Sequence, residues 1–204
     1  MMNIVSKRDV GSALITGATT GFIAWRILLF LDRGLPLGIE PALLVLVIPL
    51  LWVLGVQLGY FLGQFLGFFN QFGKFAAIGF TNFAVDLGVL YVLIGLTGHD
   101  AGLWYTLFKT ISFLVSMTHS YGWNKFWTFS AAGSHGGGRE FASFAAVSML
   151  SLLVNVSVAS IVVNFVPPIA GLDTNAWAGV GAIAGSAIAL AFSFMGFKLF
   201  VFKR

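Results

Sequence analysis

Two oppositely charged residues lie inside long apolar stretches and are the first candidates for chemistry. Asp86 is halfway along the apolar run 75–96, and Lys109 lies in the next run, 102–123. A charge in hydrocarbon is costly, so such residues usually line a substrate path or pair with each other. At a rise of about 1.5 Å per residue, two adjacent helices would place them at similar depths. The pair could bind an anionic headgroup through Lys109, or it could simply fix the register of the helices.

Polar neighbours continue the same two helix faces. Asn82 lies four residues before Asp86, and His119 follows Lys109 with two serines between them at helical spacing. Side chains three or four residues apart share a helix face, so the two polar faces would meet if the helices are adjacent. A lone His119 is more consistent with a hydrogen-bonded helix contact than with a proton relay. These residues form the predicted polar path.

A second candidate site consists of two basic-aromatic strings, each of which closes a long apolar run. The strings read Asn124-Lys125-Phe126-Trp127-Thr128-Phe129 and Lys198-Leu199-Phe200-Val201-Phe202. An ammonium suits a phosphate as a point charge, so Lys125 and Lys198 could receive a lipid phosphate, with Asn124 as an added donor. Anchoring of the chain at the membrane interface by aromatic residues and cations also explains both strings.

The composition requires apolar surroundings for the elements that position these residues. The chain is 58% hydrophobic and 9% charged, whereas soluble domains contain about 25% charged residues. Its net charge of +4 comes from cations beside apolar runs, which favours a membrane over a nucleic acid as partner. Runs of about 20 apolar residues can cross a bilayer. Six are present, at residues 11–31, 42–69, 75–96, 102–123, 141–166 and 176–197.

The fold class is therefore predicted to be an all-α integral membrane protein with six transmembrane helices. Most cations flank one set of span ends, and most acids flank the other. Because cytoplasmic ends are enriched in Lys and Arg, both termini are predicted to be cytoplasmic, in a multi-pass protein of the inner, cytoplasmic membrane. The sequence has no cysteine, and it shows no metal-ligand cluster, nucleotide motif or catalytic constellation. Neither an enzyme nor a bound cofactor is predicted.

The last four runs look like a duplicated helical hairpin. Lys74-Phe75-Ala76-Ala77 recurs as Ser143-Phe144-Ala145-Ala146, and at the same offset Asp86 corresponds to Asn155. With two spans in each unit, the copies would be parallel, and transporter sites often lie where such repeats meet. The second copy lacks the charges of the first. Polar function is therefore predicted mainly in the first copy, with Asn155 contributing from the second.

The predicted domain layout follows this duplication. An N-terminal two-helix extension covers residues 1–69, and a four-helix core built from two parallel hairpins covers residues 70–204. Within the core, the first repeat covers residues 74–129 and the second covers residues 141–204.

These motifs together resemble the GtrA-like family of small membrane proteins. The likeness rests on the segment Lys74-Phe75-Ala76-Ala77-Ile78-Gly79, on Asp86 within its span and on the two basic-aromatic endings. The resemblance implies a role in polyprenyl-phosphate-linked sugar metabolism, in which members flip a lipid-linked sugar or support a partner glycosyltransferase. It also matches Asp86, Asn124 and Lys125 to the family pattern, and Lys109 to a position that is often basic.

The leading hypothesis is translocation of a polyprenyl-phosphate-linked sugar for the synthesis of cell-surface polysaccharide or glycan. The predicted substrate-binding residues are Asn82, Asp86, Lys109, His119, Asn124, Lys125, Asn155 and Lys198. One alternative is a non-transporting scaffold or accessory subunit of a polyprenyl-phosphate glycosyltransferase, and another is a small proton-coupled exporter that uses Asp86. The expected partners are the lipid-linked sugar, a membrane-associated glycosyltransferase and further copies of the chain, without nucleic acid.

Overall fold

The computed structural model describes residues 5–99, 102–131, 133, 137–169 and 174–202. These residues form helices and connecting turns without a strand, which confirms the all-α fold class. The α-helices are α1 (Lys7–Phe30), α2 (Leu44–Leu62), α3 (Phe69–Thr97), α4 (Gly102–Trp123), α5 (Gly137–Phe165) and α6 (Thr174–Gly196). Short 3₁₀ turns at Pro36–Gly38 and Pro41–Leu43 lie between α1 and α2.

Several of these helices are suited to a bilayer. Among the described residues, four helical segments are long and apolar enough to cross a membrane. They are Lys7–Phe30, Pro41–Leu62, Phe69–Thr97 and Ile183–Val201. The chain is thus a membrane protein with several apolar helices, as predicted, while the number of six spans and the side of the termini stay predictions.

The chain divides into two compact units, Met1–Ala132 and Gly133–Arg204. In the first unit, α1 packs against α2 and α3, and α3 also packs against α2 and α4. In the second unit, α5 packs against α6. The two N-terminal helices therefore lie directly on α3, the first helix of the predicted core.

A buried threonine joins three helices of the first unit, α1, α2 and α3. Thr81 on α3 accepts hydrogen bonds from the Thr20 hydroxyl on α1, at 3.0 Å, and from the Trp52 indole on α2, at 3.1 Å. Its own hydroxyl donates to the Ala77 carbonyl at 2.9 Å. Because an unpaired polar group would be costly at this depth, these bonds help to fix how the helices pack.

The break between the second and third helices differs from the prediction. Helix α2 ends at Leu62, and the chain turns through residues 63–68. Residues 70–74, predicted as the break, belong to the start of α3. The turn contains exposed Phe65 and Leu66, so its apolar sequence resembles a continuing span.

Candidate functional site

The polar faces of α3 and α4 meet, as the spacing predicts. The hydroxyl of Ser112, which is fully buried, donates to Asp86 Oδ1 at 2.6 Å. Farther along the hairpin, His119 Nδ1 lies 3.0 Å from Asn82 Oδ1. The first hairpin thus contains a line of hydrogen-bonded polar groups between its two mainly apolar helices.

Lys109, the predicted partner of Asp86, is described only in its backbone. The backbone of Lys109 belongs to α4, but its side chain lies outside the described residues. The Asp86–Lys109 pair therefore stays a prediction. The structure places Ser112 against Asp86. The helical spacing of the sequence predicts that Ser112 and Lys109 share one polar face of α4.

The string that follows α4 forms a single π-helical turn, Asn124–Thr128, here called the first closing turn. Its defining bond runs from the Phe129 N–H to the Asn124 carbonyl at 2.9 Å, five residues apart. Asn124 is fully buried, and its amide nitrogen donates to the Ser120 carbonyl at 2.9 Å. Within the described part of the chain, Asn124 Oδ1 and Thr128 Oγ1 have no hydrogen-bond partner. Single π turns are rare and are frequent at functional sites.

A second π-helical turn, Phe197–Val201, follows α6 and is called the second closing turn. The Phe202 N–H donates to the Phe197 carbonyl at 2.8 Å, again five residues apart. In both turns a lysine lies over the aromatic ring one helical turn earlier. Lys125 Nζ is 5.5 Å from the Tyr121 ring centre, and Lys198 Nζ is 5.8 Å from that of Phe194. The predicted phosphate ligands thus share one local arrangement.

In the second unit, the position equivalent to Asp86 makes a weaker contact. The side-chain amide of Asn155 on α5 donates to the Ser186 hydroxyl on α6 at 3.3 Å. This neutral pair is exposed, in contrast to the Asp86–Ser112 pair. The second unit therefore repeats the helix-to-helix polar contact without a described charge.

The structure also contains a buried acidic site that sequence reasoning missed. Asp9, at the start of α1, is buried and lies 2.5 Å from the Lys74 ammonium on α3. It also accepts hydrogen bonds from the Tyr60 hydroxyl at 2.8 Å and from the Trp127 indole at 2.9 Å. Ser6, the N-cap residue of α1, donates to the same carboxylate at 2.7 Å. One carboxylate thus joins α1, α2, α3 and the first closing turn.

Only part of this acidic site has a local sequence signal. Ser6 and Asp9 have the three-residue spacing of a helix N-cap motif, and the Asp9 N–H donates to Ser6 Oγ at 3.1 Å. That pattern could have located the start of α1. It could not have identified Lys74 or Trp127 as partners, because nothing near Asp9 in the chain depends on them.

An apolar groove of about 540 Å³ lies between α1 and α3. Its lining includes Phe22 and Ile27 from α1 and Val89 from α3. Arg26 also lines it, and the guanidinium lies 6.0 Å from the ring centre of Trp25. In the described part of the chain, Arg26 has no hydrogen bond or ion pair. Such a groove suits a hydrocarbon chain.

The sequence profile of the GtrA/DPMS transmembrane domain matches residues 74–202. The chain belongs to this family. The match begins at Lys74, contains both closing turns and leaves out α1 and α2. It confirms the resemblance seen in the sequence. No curated protein and no solved structure matches the chain.

Proposed function

We propose that this protein moves a polyprenyl-phosphate-linked sugar across the cytoplasmic membrane, for the synthesis of cell-surface glycan. Membership of the GtrA/DPMS family supports the coarser part of this proposal, a role in polyprenyl-phosphate sugar metabolism. The translocation step itself is our inference from the residues. In this proposal the chain catalyses no covalent step, and its termini lie in the cytoplasm.

The observation that supports translocation best is the polar line between α3 and α4. Asp86 with Ser112, and Asn82 with His119, provide hydrogen-bonding groups between the two helices of a mainly apolar hairpin. A sugar headgroup loses its hydration in hydrocarbon, and groups of this kind can replace part of it. A carboxylate is costly in hydrocarbon, so its presence in an apolar hairpin supports a functional role.

Two further features fit the other parts of such a lipid. Lys125 and Lys198 keep their predicted roles as phosphate ligands in this proposal, because each ammonium belongs to a closing turn that follows a long apolar helix. The hydrocarbon chain would lie along apolar surface such as the groove between α1 and α3. Lys109, Asn124 and Asn155 keep their predicted roles in this proposal as further contacts of the headgroup.

The test is to reconstitute the purified full-length chain in liposomes with a labelled polyprenyl-phosphate sugar. A membrane-impermeant reagent outside the vesicles then reports how fast inner-leaflet lipid becomes accessible. We expect faster access than in protein-free vesicles, and the same acceleration with the exposed loop variant Glu40→Gln as a matched control. Access at the protein-free rate would reject translocation.

A second candidate function is a membrane scaffold for a glycosyltransferase. It is favoured by the exposed aromatic and aliphatic side chains of the closing turns, Phe126 in the first and Leu199 and Phe200 in the second. These side chains would then bind the enzyme rather than the bilayer interface. Copurification from native membranes tests this function: a glycosyltransferase should be retained by the wild-type chain and lost with a Phe126→Ser, Phe200→Ser double variant. Unchanged glycosyltransferase activity after deletion of this protein would reject the scaffold.

A further inference from the structure

We propose that Arg8 and Asp9 form an N-terminal clamp that positions Lys125 for the lipid phosphate. The inference rests on the proposed function, because it assigns Lys125 a phosphate to bind. It gives a role to α1, which lies outside the part of the chain that the family profile matches. Arg8 and Asp9 are positioning residues here, since they act on the phosphate through Lys125.

The clamp consists of two consecutive contacts on the two residues that follow Lys125. The Arg8 guanidinium donates to the backbone carbonyl of Phe126. The carboxylate of Asp9, the next residue, accepts the indole N–H of Trp127 at 2.9 Å. The first turn of α1 thus holds the backbone of the closing turn through Arg8 and one of its side chains through Asp9.

The clamp is itself anchored to the rest of the first unit. Asp9 is buried, its charge is balanced by the Lys74 ammonium at 2.5 Å, and it accepts a hydrogen bond from the Tyr60 hydroxyl at 2.8 Å. Hydrogen bonds to a buried charge are stronger and more directional than those between neutral groups. The start of α1 therefore has a fixed position relative to α2 and α3.

The first closing turn has reason to need external support. A π turn is widened, and this one leaves Asn124 Oδ1 and Thr128 Oγ1 without a hydrogen-bond partner among the described residues. Buried polar atoms without partners cost free energy, so the turn is incompletely stabilised from within. The contacts from Arg8 and Asp9 supply bonds that the turn does not make itself.

The second closing turn differs from the first in the burial of the residue that is equivalent to Trp127. Phe200, at the position equivalent to Trp127, is 67% exposed, whereas Trp127 is 2% exposed. The second turn begins with Phe197, whose ring stacks on Phe144 with centres 4.2 Å apart. An apolar stack therefore stabilises the second turn from within its own unit, at the position where the first turn has the polar, buried Asn124.

Preorganisation explains why clamping the turn would affect binding. Lys125 has a flexible four-carbon side chain, and its ammonium contributes most when the backbone beneath it is held in place. The ammonium lies 3.3 Å from the Tyr121 hydroxyl one turn earlier. If the turn moves, this arrangement is lost. The Lys125 ammonium then has to be ordered when the phosphate binds, which lowers the affinity.

The test measures the affinity of the full-length chain in nanodiscs for a labelled polyprenyl phosphate. We compare Arg8→Gln, Lys125→Gln and the double variant with the wild type. We expect Lys125→Gln to weaken binding about tenfold and Arg8→Gln about fivefold, as for loss of a charge-assisted contact. The double variant should bind like Lys125→Gln alone, because Arg8 acts only through Lys125.

Two further variants separate positioning from charge and folding. Arg33→Gln removes the same charge from an exposed position after α1 and should leave the affinity within about twofold of the wild type. Arg8→Lys keeps a cationic donor and should recover most of the loss. Thermal unfolding of each variant is recorded alongside, and exposed Arg8 should change it little.

The possible failures of this test are distinguishable. If Lys125→Gln weakens binding but Arg8→Gln does not, or if the two losses add in the double variant, the clamp is rejected while phosphate binding at Lys125 stands. If Lys125→Gln leaves the affinity unchanged, the phosphate site of the proposed function is rejected, and the clamp is rejected with it.

Discussion

The two closing turns have the same backbone frame. Each is a π turn closed by a bond between residues five apart, at 2.9 Å in the first and 2.8 Å in the second. Each is followed by a buried phenylalanine that packs on the start of its own hairpin. The ring centres of Phe129 and Phe75 are 6.3 Å apart, and those of Phe202 and Phe144 are 6.1 Å apart. The frame therefore depends on aromatic packing that both copies keep.

The side chains of the two closing turns differ in polarity and in burial. The first turn buries polar Asn124 and Thr128, where the second buries Phe197 and Val201. Trp127 is covered and hydrogen-bonded to Asp9, whereas its counterpart Phe200 is exposed. The two turns thus share one backbone shape, and at these positions the first turn has polar groups where the second has apolar ones. This difference is consistent with the prediction that polar function lies mainly in the first copy.

The largest expected effect comes from removing the carboxylate that distinguishes the first turn. Asp9→Ala leaves the Lys74 ammonium and the Trp127 indole buried without their partner. Breaking one side of a buried ion pair costs about 3–5 kcal/mol. We expect a loss of that size in the free energy of unfolding, measured by denaturant titration in mixed micelles.

The control for that measurement is Glu40→Ala, because Glu40 is an exposed acid whose side chain caps no helix. Its free energy of unfolding should lie within about 0.5 kcal/mol of the wild type. Equal stability of Asp9→Ala and Glu40→Ala would mean that the acidic site does not stabilise the first unit.

A smaller effect is expected from removing the indole hydrogen bond that the first turn makes and the second does not. Trp127→Phe removes the indole N–H that donates to Asp9, and hydrogen bonds to charged groups contribute about 1.5–3 kcal/mol. Phe200→Leu, at the exposed equivalent position, should change stability by less than about 0.5 kcal/mol. Thermal unfolding of both variants measures this difference, and similar losses would contradict the proposed asymmetry.

The smallest effect concerns the polar contacts between helices in each unit. Ser112→Ala removes a buried donor to Asp86 and should cost about 1 kcal/mol, since polar contacts between membrane helices have modest net strength. Ser186→Ala removes only a long, exposed contact with Asn155, so no measurable loss is expected. Denaturant titration of the pair tests whether the two contacts differ. A larger loss for Ser186→Ala would reverse the comparison.

Much of the hairpin chemistry could be predicted from the sequence, because it depends on helical periodicity. Residues three and four apart share a face, and this is enough to bring Asp86 to Ser112 and Asn82 to His119. The sequence also predicts a duplication, because the aromatic positions that form the closing turns recur at a nearly constant offset.

The acidic site could not be predicted, because its contacts join distant parts of the chain. Asp9 meets Tyr60, Lys74 and Trp127 only after three helices have packed together. Two cations precede Asp9 in the sequence, so that segment looked simply basic. The break after α2 was misplaced for another reason, since the apolar side chains of an interfacial turn look like those of a span.

The most direct test of a polar path in the first unit is the transport rate of paired variants in liposomes. With a labelled polyprenyl-phosphate sugar, we expect Asp86→Asn to slow transbilayer movement about tenfold, equivalent to about 1.4 kcal/mol in the barrier. Asn155→Ala, at the equivalent position of the second unit, should slow it only about threefold. Equal slowing by the two variants, or movement by Asp86→Asn at the wild-type rate, would contradict the placement of the polar path in the first unit.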